Sequence, residues 1–369
     1  MITMQDSAHI LQEQVRDAAR DGAPLVIKGG NSKSFYGNPV MGEPLNTSIH
    51  SGIVKHEPTE LTITVRAGTA LKEINEQLAA HNQMLACEPP EFSDTSTFGG
   101  IIAAGLSGPS RPYRASLADS ILGCRILNGR GEILEFGGKV MKNVAGYDVS
   151  RLMSGSMGCL AVILDATLKI IPRPEAETTV RFSVQRKESV PFLNELRKQG
   201  YPVSASVYMD GVLVVRFSAS SIEIAGISGL LKTNFAFIPH QSEPNMSCWI
   251  QLSNHALAFF DIQNDEPKHL WRLSVSPGQE IEAILDEEGD LLTEWGGALH
   301  WIKSDKEPAV FHALASDVNG RATLFKANDR KALQRFTPLS PVLNQWYAGL
   351  KSAFDPQGIL NPGRMYSEF

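Results

Sequence analysis

Two loops made almost entirely of small residues constrain this chain more than any other feature. The first, Gly29-Gly30-Asn31-Ser32-Lys33-Ser34, leaves directly from Pro24-Leu25-Val26-Ile27-Lys28, an apolar run that reads as a short buried strand. The second, residues 95–108, carries Thr97, Gly99, Gly100 and Ser107 and alternates hydroxyls with bare backbone. Clustered backbone N–H groups in loops without bulky side chains suit two adjacent phosphates, so a dinucleotide is implied. No Gly-x-Gly-x-x-Gly occurs in the chain, which disfavours a Rossmann nicotinamide domain. Taken alone, Gly29-Gly30 is also what an ordinary strand-to-turn connection uses.

Around these loops the periodicity changes several times. Ser7 reads as a helix N-cap followed by Ile10, Leu11, Gln14, Val15, Ala18 and Ala19 at helical spacing, with Gly22 closing the element. Residues 61–66 alternate as a half-exposed strand, and Gly68-Thr69 then cap a helix bearing Leu71, Ile74 and Leu78. Residues 87–113 read as one long loop of functional character. Residues 122–127 and 132–136 flank Asn128-Gly129-Arg130-Gly131, a hairpin signal, and strand pairing continues over 160–170. Pro172-Arg173-Pro174 stops both helix and ladder and marks the expected domain boundary. Beyond it, residues 175–335 alternate strand-like runs (180–184, 212–217, 248–252, 270–275) with helical ones (190–198, 221–231), an α+β layer of antiparallel sheet. Ser340-Pro341 starts a last helix whose inner side is read as Val342, Leu343, Trp346 and Leu350, followed by the turn Asp355-Pro356-Gln357-Gly358.

The 369 residues are more than one ordinary compact domain holds. Hydrophobic residues at 43% and charged ones at 20% give a globular balance. A net charge of -6 without a Lys/Arg run argues against nucleic acid. Cys87, Cys124, Cys159 and Cys248 form no Cys-x-x-Cys, so any iron–sulfur cluster must sit on a partner. Their apolar settings indicate buried thiols and a cytoplasmic location. Residues 1–16 lack the basic and apolar regions of a secretory signal, and no run approaches about 18 apolar residues, so membrane contact is expected only peripherally or through partners.

A third segment, Lys142-Asn143-Val144-Ala145-Gly146-Tyr147-Asp148 followed by Gly155-Ser156-Met157-Gly158-Cys159-Leu160, completes a pattern with the two loops and with the closing run Asn361-Pro362-Gly363-Arg364. Four motifs in this order resemble the FAD-binding, PCMH-type domain of the vanillyl-alcohol-oxidase flavoprotein family, which includes D-lactate dehydrogenases and glycolate oxidase subunits. The resemblance covers roughly residues 20–175 and 338–366. It implies an α+β fold: an FAD-binding domain over 1–174, a smaller α+β cap or substrate domain over 175–335, and a segment over 336–369 that returns to the first. By carry-over, Gly29, Gly30, Asn31, Ser32 and Ser34 hold the pyrophosphate. Thr97, Gly99, Gly100 and Ser107 lie along pyrophosphate and isoalloxazine, and Gly155, Gly158, Val162 and Ile163 line the adenine end. Members with covalent flavin place a His in the first loop or a Cys in the second. Asn31 and the lack of Cys between Glu88 and Gly123 imply non-covalent FAD.

The chain lacks the His-x-Gly-Asp-Gly-Asn-x-His stretch of glycolate- and D-lactate-oxidising relatives. That departure and the short second domain resemble the E-type subunit of bacterial glycolate oxidase. The resemblance implies a larger FAD-containing subunit and an iron–sulfur subunit as partners, a small 2-hydroxy acid as substrate, and glyoxylate as product. A stand-alone oxidoreductase and a non-catalytic assembly subunit are the alternatives. His300 reads as a base or as a structural histidine without an orienting carboxylate. Arg111, Arg114 and Arg272 read as carboxylate ligands or as surface charges. Trp271, Trp295 and Trp301 read as core, and Lys142 and Tyr147 as cofactor neighbours or as surface charge and packing. No catalytic residue is assigned.

Overall fold

The computed structural model describes residues 6–138, 148–236, 238, 240–243, 247–262, 268–279, 281, 290–327 and 334–368. Lys142 and Tyr147 lie outside the described residues. The chain forms two compact units, one of Met1–Ser107, Ser116–Pro172 and Pro338–Phe369, the other of Gly108–Ala115 and Arg173–Thr337. Residues 108–115 were expected with the first domain. They group with the second because the Tyr113 hydroxyl sits 2.6 Å from Ser206 Oγ and Arg114 pairs with Glu177 at 3.2 Å.

In the first unit α1 (Ala8–Asp21) leads into β1 (Leu25–Lys28), which pairs in parallel with β2 (Glu43–Asn46). There follow β3 (Ile53–Glu57), β4 (Thr62–Arg66), α2 (Leu71–Ala79), β5 (Gln83–Met84), α3 (Phe98–Ala104), α4 (Leu117–Ser120), β6 (Ile121–Asn128), β7 (Ile133–Gly137), α5 (Val149–Leu152), β8 (Ala161–Lys169) and β9 (Ile171–Pro172). An antiparallel sheet runs β3-β4-β8-β6-β7. Its central strand, β8, is buried at every residue but the last, so no inside–outside alternation shows in its sequence. Asp165 is a charged residue within that buried run. Its carboxylate accepts from His50 Nε2 at 3.1 Å and from the Arg125 guanidinium. The Ser7 backbone N–H donates to His50 Nδ1 at 3.1 Å, so the imidazole proton sits on Nε2 and points at Asp165.

Several expectations are corrected here. Ser7 precedes α1, but its hydroxyl donates to Ile49 O at 3.0 Å and not to the helix. The Thr69 hydroxyl accepts from Gly52 N–H and donates to Arg66 O, while Ala70 holds the N-cap position of α2. The stretch read as one loop contains α3. Two adjacent glycines in seven residues weaken its helical signature, and its first N–H groups are taken by the Thr69 and Ala67 carbonyls.

The second unit adds β10 (Ala176–Phe182), α6 (Arg186–Lys198), β11 (Val203–Met209), β12 (Val212–Ala219), α7 (Ser221–Asn234), β13 (His240–Glu243), α8 (Ser247–Ser253), β14 (His269–Ser274), β15 (Leu291–Glu294), β16 (Leu299–Ser304), α9 (Pro308–Asp317) and β17 (Arg321–Lys326). Its antiparallel sheet runs β13-β10-β12-β11-β15-β16-β14-β17. Residues 248–252, read as a strand, are helical in α8, where the Trp249 indole donates to Thr179 Oγ1 at 2.9 Å. A five-residue apolar run does not distinguish a strand from a buried helical turn. Trp271 stacks on Phe311 at 4.2 Å, and Trp271, Trp295 and Trp301 are all buried.

The chain returns to the first unit through α10 (Pro341–Phe354), capped by the Ser340 hydroxyl on Leu343 N–H. Its inner side is not the apolar set expected. Val342 is 64% and Trp346 68% exposed, and the buried residue is Lys351 at 7%. The Lys351 ammonium donates to Cys159 O at 2.7 Å, Asp355 Oδ2 at 2.7 Å and Leu360 O at 2.8 Å. Asp355 in turn accepts from the Ile359 and Leu360 N–H groups, so the pair replaces its lost water completely. Lys351→Met leaves the Asp355 carboxylate buried without its cation. We expect a loss of about 3–5 kcal/mol in urea unfolding, and a shift below about 1 kcal/mol would show the pair to be dispensable.

Candidate cofactor site

The first loop cannot hold its shape alone, and three other segments hold it. Thr47 Oγ1 donates to Lys28 O at 3.1 Å and Thr95 Oγ1 to Gly30 O at 2.7 Å. From the C-terminal run, Asn361 accepts from Ile27 N–H at 2.8 Å and donates to Met157 O at 2.7 Å. The Arg364 guanidinium donates to the carbonyls of Lys33, Ser34, Tyr36 and Asn38. With four carbonyls turned toward Arg364, the loop is stitched by the closing motif.

Why glycine is required is visible in the packing of the two loops. A Cβ on Gly30 would lie 1.3 Å from Thr95 O, and one on Gly29 would lie 2.3 Å from Thr97 Oγ1. Backbone approaches backbone too closely for any side chain. Between the loops lies a cavity of about 330 Å³. Of the residues singled out from sequence, Gly29, Gly30, Asn31, Ser32, Ser34, Thr97 and Gly100 line it together. The Thr97 hydroxyl is buried there without a hydrogen-bond partner. A buried hydroxyl in that state costs about 1–3 kcal/mol unless a ligand satisfies it. Bare backbone, hydroxyls and an unsatisfied donor together fit a dinucleotide diphosphate.

The remaining singled-out residues are elsewhere. Gly99 abuts Ala67, and the Ser107 hydroxyl accepts from Leu117 N–H at 3.2 Å. Gly155 N–H donates to Ile102 O at 3.0 Å, and Gly158 abuts Asn361 and Ile27. Val162 and Ile163 are buried in β8, paired with Leu127 and Ile126 of β6. Sequence reasoning missed Lys33, Met157, Asn361 and Arg364 as cavity residues. The signal for the last two was present in the Asn361-Pro362-Gly363-Arg364 motif, which was quoted without a role.

The second unit holds its own polar cluster. On one face of the sheet, the Glu294 carboxylate accepts from the Trp301 indole at 2.7 Å, and burial pushes its pKa up to about 7. Arg272, paired in register with Trp301, lies 5.2 Å over the Trp295 ring, and Arg111 lies 4.6 Å over the same ring. Arg114 is committed to Glu177. His300 is buried, with Nδ1 3.0 Å from Thr293 Oγ1 and Nε2 without a partner. Burial holds it down at about 4, so it is a neutral imidazole, and no carboxylate among the described residues pairs with it.

Two outcomes follow from this geometry. Gly30→Ala must push Thr95 away, so flavin affinity, read from fluorescence quenching on titration, is expected to fall about tenfold or more; an unchanged value would show that the loops need not touch. Glu294 keeps its proton in the folded chain up to about pH 7, whereas the unfolded chain releases it near pH 4–5. Its contribution to stability is therefore lost as pH rises through that window, by about 3 kcal/mol at most. Glu294→Gln keeps the acceptor for Trp301 and is expected to raise the melting temperature at pH 8 more than at pH 4. An equal shift at both values would contradict the burial argument.

Residues 4–137 match the family described as an FAD binding domain. The chain is 41% identical over 368 residues to glycolate oxidase subunit GlcE of Escherichia coli (strain K12), covering 100% of each. It is 30% identical over 400 residues to glycolate oxidase subunit GlcD of Bacillus subtilis (strain 168), covering 94% of this chain and 84% of that one. Among solved structures it is similar to p-cresol methylhydroxylase with substrate bound, with a TM-score of 0.74 at 14% identity over 97% of this chain and 87% of that one. That similarity concerns the fold, and it agrees with an α+β, PCMH-type architecture. With the loop pair, the unsatisfied Thr97 hydroxyl and a full-length relative in agreement, the chain belongs to the FAD-binding flavoprotein family of glycolate oxidase subunits.

Proposed function

We propose that this chain is the FAD-binding subunit of a glycolate oxidase complex that oxidises glycolate to glyoxylate. The observation that carries the reading is the end-to-end match to a glycolate oxidase subunit, joined to a cavity suited to a dinucleotide. Its partners are a larger FAD-containing subunit and an iron–sulfur subunit. FAD, when bound, supplies the two-electron acceptor for the hydride leaving the carbon that bears the hydroxyl. The residues of this chain bind and orient that group. Gly29, Gly30, Asn31, Ser32 and Ser34 present backbone and hydroxyls to the diphosphate, and the Thr97 hydroxyl gains a partner. Gly99, Gly100 and Ser107 belong to the isoalloxazine side, and Gly155, Gly158, Val162 and Ile163 to the adenine side. Attachment is non-covalent, a reading supported by the absence of His or Cys among the described residues that line the cavity.

The chain works in the cytoplasm, in contact with the inner face of the membrane only peripherally or through partners. No described helix is long and apolar enough to cross a membrane. A second reading, an assembly subunit that keeps the flavin fold without turnover, draws on His300. Its imidazole is buried and neutral and has no carboxylate to make it a general base. The visible spectrum of the purified chain, recorded before and after anaerobic glycolate, separates the readings. A flavin spectrum that stays oxidised until the partner subunits are added is the expected result. Bleaching by glycolate alone would make the chain self-sufficient, and flavin that never bleaches in the complex would favour the assembly role.

A further inference from the structure

We propose that Lys33 is the cation that neutralises the dinucleotide's diphosphate in this chain, a role that rests on the FAD reading above. Lys33 sits in the first loop on the cavity wall, between the two serines Ser32 and Ser34. Its ammonium donates to Ser96 Oγ at 2.7 Å and to Ser32 Oγ at 3.3 Å, and lies 5.5 Å over the Phe92 ring. Each of these partners is uncharged. A lysine drawn off solvent into a wall of hydroxyls and aromatic ring, with no carboxylate in ion-pair contact among the described residues, is placed for an anion from outside the chain. N–H dipoles and hydroxyls spread a diphosphate's charge without cancelling it, and the half-buried Lys33 ammonium, held by uncharged partners, supplies what they lack.

The charged groups around it agree. Glu91 acts on Lys33 only through space, and its own carboxylate accepts from Asn75 Nδ2 at 2.9 Å. Arg364 donates to the Lys33 carbonyl and is spent on the loop backbone. Lys28 stands on the same cavity wall and adds positive charge. With no anion present, burial brings Lys33 down to about 8. A bound diphosphate favours the ammonium, so binding takes up a proton once the pH exceeds that value. Affinity is then constant below about pH 8 and falls by up to about tenfold per pH unit above it.

The test is titration of flavin-free protein with FAD, ADP and riboflavin, followed by fluorescence or calorimetry at several pH values between about 7 and 9.5. For Lys33→Met, loss of one charge-assisted hydrogen bond predicts about ten- to a hundredfold weaker binding of FAD and of ADP. Riboflavin, which has no phosphate, binds wild type and variant alike, and the fall in affinity above pH 8 disappears in Lys33→Met. Lys33→Arg keeps its charge throughout, so it binds FAD tightly with a flat profile over the same range. The wild-type profile needs no variant and stands even if Lys33→Met folds poorly. A residue that merely tethers Ser96 would lower the melting temperature of Lys33→Met and leave the pH profile as it is. Unchanged FAD and ADP affinity in a folded Lys33→Met, or a wild-type affinity flat across pH 8, overturns the assignment of Lys33 alone. Wild-type protein that binds no FAD at any pH overturns the cofactor reading and this proposal with it.

Discussion

A loop that offers bare backbone to a ligand has no side chains of its own with which to hold its shape, and this constraint organises the first unit. The solution is bracing by side chains from other segments, two of which, Asn361 and Arg364, themselves line the cavity. Arg364 collects four carbonyls of the 33–38 segment, Asn361 fastens β1 to the 157 region, and Thr95 meets Gly30 from the second loop. Because those bonds use up loop carbonyls within the chain itself, the loop is held without a ligand, and binding need not supply the ordering free energy. The glycines are then the necessary complement of the bracing, since loops pressed together this closely exclude even a methyl group.

The same unit buries charge twice, and in both places charged and hydrogen-bonding partners make that tolerable. Asp165 in the central strand gathers His50 and Arg125, and His50 is itself oriented by Ser7 N–H at the start of α1. Lys351 and Asp355 satisfy each other and the carbonyl and N–H groups of the turn that follows α10. Each cluster joins segments distant in sequence, so each fixes topology in a way that apolar packing, which is indifferent to direction, does not. The second unit treats its polar groups differently. Glu294 and His300 are both driven by burial toward their neutral forms, on a sheet otherwise packed with Trp271, Phe311 and their neighbours.

What was legible in the sequence was whatever depended on local chemistry. The α1 stripe of Leu11, Val15 and Ala18, the hairpin about Asn128 and Gly131, and the strand into Gly29 all read correctly because spacing and turn residues determine them. α3 escaped because Gly99 serves close approach to Ala67 and Gly100 to Thr97, a packing demand that lowers helical propensity in the sequence. α10 was read inside out. Val342 and Trp346 have the periodicity of a core face, yet the helix buries its lysine, because three oxygen acceptors wait for that ammonium in the fold. At the site, Gly29, Gly30 and Thr97 were visible through the family pattern, while Lys33 was not, since a lysine in a glycine-rich loop looks like any solvated charge until its serine partners are placed around it.

The bracing of the first loop also sets an order of events in the life of the molecule. Arg364 and Lys33 lie 331 residues apart in the chain, and Asn361 and Ile27 lie 334 apart. A ribosome has therefore made both glycine-rich loops and the whole second unit before it makes the residues that brace the first loop. The first loop is thus braced by contacts of extreme sequence separation, the kind whose closure carries the larger entropic cost. A nascent chain cut between residues 108 and 361 carries both loops and still lacks the Asn361 and Arg364 contacts that brace the first.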